Sequence, residues 1–182
     1  MSTQAEDAAA VVAFCATAAG ITADKVWQTY GGMPRSTGGY ITVLAVAEVE
    51  YGLPQRDDTL IDGVNVAAIT QVVEQTWSIT AYGSAAADWI DLIRRAWRVE
   101  LGPTATMIAA GVTPLHAQAP MNQTRLLDTG YETRWNVTLT SLAARSTTYT
   151  DVDGTASVVV DLTLIRDPDE VAATATLTYP EP

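Results

Sequence analysis

Two stretches of this chain alternate apolar and polar residues with a period of two, which is the pattern of a half-buried β-strand. From Val73 to Ala81 the positions Val73, Trp77, Ile79 and Ala81 are apolar, while Glu74, Thr76, Ser78 and Thr80 between them are polar. Further on, Thr133, Trp135, Val137 and Leu139 alternate with Arg134, Asn136, Thr138 and Thr140, in a strand that extends to about Tyr149. Each strand turns one face to a core, and something else in the chain has to cover that face.

Helical spacing supplies the cover. Ala8, Val11, Val12, Cys15 and Ala19 fall on one stripe of a helix over residues 5–19, with Gly20 placed as its C-terminal cap. A second helix over 85–101 buries Ala86, Trp89, Ile90, Ile93 and Trp97, with Ser84 as N-cap. Asp88, Asp91, Arg94, Arg95 and Arg98 face water on its other side, and Asp91 and Arg95 stand four residues apart in the favourable order. Between the helices the sequence predicts a short strand Lys25–Tyr30, a turn-rich loop 31–39, a strand Tyr40–Glu50 and a polar excursion 51–64. After the Gly102-Pro103 break come a short helical turn Thr104–Ala110, a brief strand Val112–Ala117 and a loop 118–130. Asp151-Val152-Asp153-Gly154 has turn chemistry and returns the chain as a strand over 158–166. No internal repeat is present. The order predicts one α+β domain over residues 1–165, a mostly antiparallel sheet with two main helices packed on one face. An extended C-terminal segment 166–182, punctuated by Pro168, Pro180 and Pro182, follows it.

Charge and composition exclude whole classes of function. In 182 residues, ten basic side chains oppose twenty-one acidic ones, for a net charge of −11, and Lys25 is the single lysine. A surface that grips phosphates needs clustered Lys and Arg, so specific nucleic-acid binding is not expected. One cysteine, Cys15, and one histidine, His116, leave no internal disulfide, thiolate zinc site or imidazole metal site. No metal or cofactor is expected. The alanine-rich N-terminus lacks a basic segment, and no run approaches the ~20 apolar residues of a membrane helix. A cytosolic product with no membrane contact is expected, on which the sequons at Asn122 and Asn136 stay idle.

The sharpest local motif is Leu126-Leu127-Asp128-Thr129-Gly130. Asp-Thr-Gly after apolar residues also marks aspartic proteases, whose chemistry needs two carboxylates sharing a proton. Here the motif occurs once, so a symmetric dimer would have to supply the second Asp128, and Tyr131-Glu132-Thr133-Arg134 puts bulk and charge beside it. The alternative is a turn in which Asp128 or Thr129 bonds local backbone and Gly130 supplies an unusual φ. Loop 31–39 lacks the Gly-Lys-Ser/Thr ending of a phosphate cradle, and Asp151–Gly154 lacks the later bidentate Glu of a calcium loop. His116 has no sequence-placed nucleophile or acid beside it, and Trp77, Trp89, Trp97 and Trp135 fall on apolar stripes. No catalytic constellation emerges.

The stretch Leu126-Leu127-Asp128-Thr129-Gly130-Tyr131-Glu132-Thr133-Arg134 resembles the neck or tail terminator proteins of long-tailed bacteriophages. Two further stretches agree with that family in order and spacing. Pro34 leading into Tyr40-Ile41-Thr42-Val43 resembles its Pro-rich loop and first long strand. Trp77-Ser78-Ile79-Thr80-Ala81-Tyr82-Gly83, before an alanine-rich helix, resembles its Tyr-Gly corner. The resemblance covers roughly residues 8–165, leaving 51–64 and the segment after Arg166 without a counterpart.

The resemblance implies a non-enzymatic virion protein, assembled in the host cytoplasm and placed at the head-proximal end of the tail. There a homohexameric ring would stop polymerisation of the tail tube protein and dock to the head-tail connector. A heterologous interface closes into a ring when its rotation allows. Candidate contacts are Met33, Pro34 and Arg35 in the first loop, Arg56, Asp57 and Asp58 in the polar excursion, and Val171, Leu177 and Tyr179 in the C-terminal segment. A strand donated from 171–179 to a neighbouring sheet would cover an edge. Genome DNA would pass an acidic lumen without specific binding. Another connector or tail component, a homodimeric protease built on Asp128, and a small-ligand binding domain are the alternatives.

Overall fold

The structure, a computed structural model, describes residues 3–29, 38–61, 64–99, 102–127, 130–152, 155–160 and 175–178. Helix α1 spans Gln4–Ala19. Its start is fixed by a reciprocal capping box. The Glu6 amide donates to Thr3 Oγ1 at 3.3 Å, and the Thr3 amide donates to the Glu6 carboxylate at 2.7 Å. Such a cap contributes about 1 kcal/mol. Gly20 closes the helix, its amide reaching the carbonyls of Ala16 and Thr17. A 3-10 turn leads into β1 (Val26–Gln28), followed by β2 (Tyr40–Ile61) and β3 (Val64–Tyr82). Helices α2 (Ala86–Ala96) and α3 (Pro103–Ala109) come next. The remaining strands are β4 (Thr113–Ala117), β5 (Met121–Asn122), β6 (Arg125–Leu127), β7 (Gly130–Glu132), β8 (Arg134–Val152), β9 (Thr155–Val160) and β10 (Ala175–Thr178).

The main sheet has the order β1-β2-β3-β8-β9-β10, and β4 and β5 also pair with β8. Strand β1 runs parallel to β2, while β4, β5 and β9 are antiparallel to β8 and β10 is antiparallel to β9. Two residues separate β2 from β3, a link that only antiparallel strands permit. Their side-chain contacts agree, since Thr42 Oγ1 reaches Thr80 O while Gln71 Nε2 reaches Tyr51 O. The fold is α+β with a mostly antiparallel sheet.

The chain divides into two compact units. The first comprises residues 1–50 and 73–143. Its core takes Ala8, Val11, Phe14 and Cys15 from α1, Ile90 and Ile93 from α2, and Met107 from α3. The sheet contributes Ile41, Val43, Trp77, Ile79, Val137 and Leu139. Each fully buried large side chain is worth roughly 1.5–3 kcal/mol relative to exposure. Two indoles are pinned by hydrogen bonds, Trp77 Nε1 to Ser141 Oγ at 2.9 Å and Trp97 Nε1 to Thr140 O at 3.2 Å. Phe14 meets Trp97 edge to face at 5.2 Å. The second unit comprises residues 51–72 and 144–182. In it Thr70 meets Ser146, Gln71 Nε2 donates to the carbonyls of Tyr51 and Gly52, and β9 pairs with both β8 and β10.

Several expectations need correction. The segment 51–64 is no polar excursion, because β2 continues to Ile61. Its Gly, Pro and charged residues signal a turn locally, but the β-branched run of β3 beside it supplies backbone partners, and Gln71 satisfies carbonyls near Gly52. Loop 118–130 contains three short strands, β5, β6 and part of β7. Helix α2 ends at Ala96, and Ser84 is not its cap. Ala85 occupies that position without a side-chain bond, and the Ala86 amide is taken by Gly83 O at 3.1 Å. Arg98 is exposed yet tethered, its guanidinium donating to Ala117 O at 3.1 Å. Asn136 is buried, and its side-chain amide donates to Ser78 Oγ, Thr80 Oγ1 and Ile79 O at 2.8–3.0 Å. The nitrogen that a glycan would modify is therefore occupied in bridging β8 to β3.

Candidate functional site

The three motif stretches singled out in the sequence meet in space, within the first unit. Tyr40 opens β2, Tyr82 ends β3, and Arg134 opens β8, so the topology brings three strand ends together. The Tyr40 and Tyr82 rings stack at 4.3 Å with only 10° between their planes. Trp27 of β1 extends the stack on the Tyr40 side at 5.1 Å. On the other side the Arg134 guanidinium lies 4.7 Å from the centroid of Tyr82. A cation over a ring and an offset aromatic pair each contribute on the order of 1 kcal/mol. Glu132 completes the line with a 2.9 Å ion pair to Arg134, both side chains about one-fifth exposed. Partial burial strengthens such a pair over a solvated one.

Glycine makes this approach possible. Gly83 has φ +102°, a conformation L side chains avoid, and a Cβ there would lie 2.9 Å from Gly39 Cα. A Cβ on Gly39 would come within 2.5 Å of Trp89 Cη2 and 3.1 Å of Tyr82 O. The two strand ends and α2 are thus packed backbone to ring. The Gly83 amide then donates to Thr133 O at 3.0 Å, tying the corner to the start of β8.

From this anchor rises the hairpin β6–β7, whose register sets Arg125 opposite Glu132, Leu126 opposite Tyr131 and Leu127 opposite Gly130. Its base is bonded throughout. Thr124 N donates to Asn122 Oδ1 at 2.9 Å, Gln123 N to Arg134 O at 2.8 Å, and Arg134 N to Thr124 Oγ1 at 3.4 Å. Leu126 and Tyr131, a cross-strand pair, are 70% and 77% exposed. The hairpin therefore holds an apolar pair in water on a rigid footing.

The other sequence candidates lie elsewhere. Arg56 and Asp58 form an exposed ion pair at 2.9 Å on β2, with Asp57 exposed between them. Leu177 lies in β10, in register with Val158 of the same chain's β9, so the strand proposed for donation is paired within its own chain. Met33, Pro34, Arg35, Asp128, Thr129, Val171 and Tyr179 lie outside the described residues. Sequence reasoning missed Trp27 and the pairing of Gly39-Tyr40 with Tyr82-Gly83. The mirrored Gly-Tyr and Tyr-Gly dipeptides at the ends of two strands were the available signal. It also missed Asp7, fully buried on α1, whose carboxylate accepts from Gln75 Nε2 at 2.7 Å. The same Nε2 is 3.1 Å from Glu48, and Gln75 Oε1 accepts from Ser141 Oγ at 3.3 Å. This network locks α1 to the sheet through the amide side chain between them.

Burial pushes the Cys15 thiol well above its ordinary range, which keeps it protonated and unreactive. Among the described residues no group of three His, Cys, Asp or Glu is placed to hold a metal ion, and no helix is long and apolar enough to cross a membrane. The stacked line is a mechanical anchor: it offers a cation, a carboxylate and ring faces already engaged with one another. A search of curated proteins finds no match. The family model described as phage neck terminator protein matches residues 9–167, a span that includes all three motif stretches, and the chain belongs to that family.

Proposed function

We propose that this chain, a structural component of the phage tail and neck by its family, closes with five further copies into a ring that ends the tail tube. One face of the ring fits the last ring of tube protein and the opposite face fits the head-tail connector, so no further tube subunit adds. The work is done by shape, without making or breaking a bond. DNA passes through the lumen without specific binding, and assembly takes place in the host cytoplasm. Loop 31–39 and residues 51–64, both within a core domain over 1–165, and the C-terminal segment 166–182 that follows it supply further contacts.

The observation that carries this reading is apolar surface held open on a rigid support. Leu126 and Tyr131 stand exposed on an anchored hairpin, and Leu44, Val46 and Val49 are exposed along β2. Among the described residues, no strand lies beside β2 on its β1 side beyond Val43. Adjacent exposed apolar residues and an uncovered strand edge favour contact with another protein surface. Electron microscopy of phage lacking the gene tests the reading. Overlong tubes or tails detached from heads are expected, and normal virions would overturn it.

A further inference from the structure

We infer that the second unit opens by itself, well short of global unfolding, and that assembly with neighbouring copies orders it; the ordering half rests on the ring reading above. A sheet holds together in water when one of its faces is buried against a further layer. The first unit meets that condition, because α1, α2 and α3 share one core with its strands. Among the described residues the second unit has no helix, and none of the side chains described for it is buried. The contrast runs along single strands. On β3, Val73, Trp77, Ile79 and Ala81 are buried, whereas no residue of 66–72 is. On β8, Val137, Leu139, Ser141 and Ala143 are buried, whereas no residue of 144–149 is. On β2 every position from Tyr51 to Thr59 is exposed, so neither face is covered there.

Hydrogen bonds weaken in the same direction. Within the first unit short bonds join β3 to β8: the Asn136 amide to Ser78, Ile79 and Thr80 at 2.8–3.0 Å, and Trp77 Nε1 to Ser141 Oγ at 2.9 Å. Within the second unit the same two strands bring Thr70 Oγ1 only to 3.5 Å from Ser146 Oγ, long for a hydroxyl pair. Strand β2 adds two defects of its own. Gly52 sits mid-strand at φ +77°, the backbone of a β-bulge, where ladder pairing is interrupted. Pro54 follows, with no N–H to give. Strand pairing without a buried face does not offset the conformational entropy of ordering the chain, so the second unit is the part that opens first. Ring neighbours supply the missing layer. A surface that must be ordered at each encounter binds less tightly than a rigid one, which weakens association between free copies.

Hydrogen exchange, in the purified full chain and in virions, tests both halves. Strand β3 is an inner strand flanked by β2 and β8, so a difference between its two parts reports opening and not a missing neighbour. In the purified chain, amides of Val64–Val72 are expected to exchange at least about a hundredfold faster than those of Val73–Tyr82. In virions that difference is expected to vanish. One level of protection along β3 in the purified chain would overturn independent opening. A difference that persists undiminished in virions holding several copies each would overturn ordering on assembly. One copy per virion, counted by quantitative mass spectrometry, would overturn the ring and the ordering half and leave the opening standing. A locked variant, Thr70→Cys with Ser146→Cys, supplies a second measurement, and the native Cys15 is buried and stays silent. With its disulfide verified by mass spectrometry, the oxidised form is expected to protect Val64–Val72, and reduction to restore fast exchange. Equal exchange in the two forms would overturn the opening.

Discussion

Cys15 shows how burial alone sets the chemistry of a residue. It sits in the core under α1 with no exposed surface, and desolvation disfavours its thiolate. The folded chain therefore holds the proton to a higher pH than the unfolded chain, which releases it near the ordinary value of 9.0. A group whose folded pKa is raised contributes stability that is complete below the unfolded pKa and is lost as pH rises above it. In urea titrations, the protein is expected to lose stability through this group as pH rises past 9, by on the order of 1 kcal/mol per pH step. A Cys15→Ala variant, less stable at pH 7 because of the small cavity, lacks that increment. Parallel pH profiles for the two proteins would show that the thiol ionises equally in both states. Asp7 is the opposite case, a fully buried carboxylate on the face of α1 that a hydropathy pattern assigns by default to solvent. Nothing local marks it, because its partner Gln75 lies 68 residues away.

At the scale of elements, what matters is how closely β2, β3 and α2 approach at Gly39 and Gly83. A methyl group at Gly39 would have to displace the Trp89 ring and press on the Tyr82 carbonyl. Overpacking of this kind costs typically 1–3 kcal/mol. Gly39→Ala is expected to lower the urea midpoint accordingly, with a loss of near-ultraviolet ellipticity as the Tyr40–Tyr82 stack is disturbed. An unchanged midpoint would mean that the corner is slack. The alternation of Val73–Ala81 and Thr133–Leu139 was legible because strand periodicity is local, and so was the stripe of α1. The end of β2 was not. Gly52, Pro54 and Asp57-Asp58 carry turn chemistry, and only pairing with a neighbour makes them a strand. The anchor was half legible. Each of its motifs stands in the sequence, but their meeting depends on placing β8 beside β3, a contact between residues nearly sixty positions apart.

For the whole molecule the governing quantity is charge. Ten basic residues against twenty-one acidic ones give −11, with a pI near 4.3. Binding to duplex DNA draws on release of counterions as Lys and Arg neutralise phosphates, and the affinity grows with the number neutralised. The most cationic stretch, Arg94 to Arg98, cannot act freely: Arg95 is paired with Asp91 and Arg98 is tethered to Ala117 O. A repulsive field is the outcome, and it suits a protein through which a genome is proposed to pass, because attraction to the wall would retard the strand. The purified protein is therefore expected to leave duplex DNA unshifted in gels at 50 mM salt, on the order of the low-salt conditions in which non-specific binding is strongest. If DNA is retained at low salt and released as salt rises, basic side chains must gather on some surface despite the net charge, and the repelling lumen would have to be abandoned.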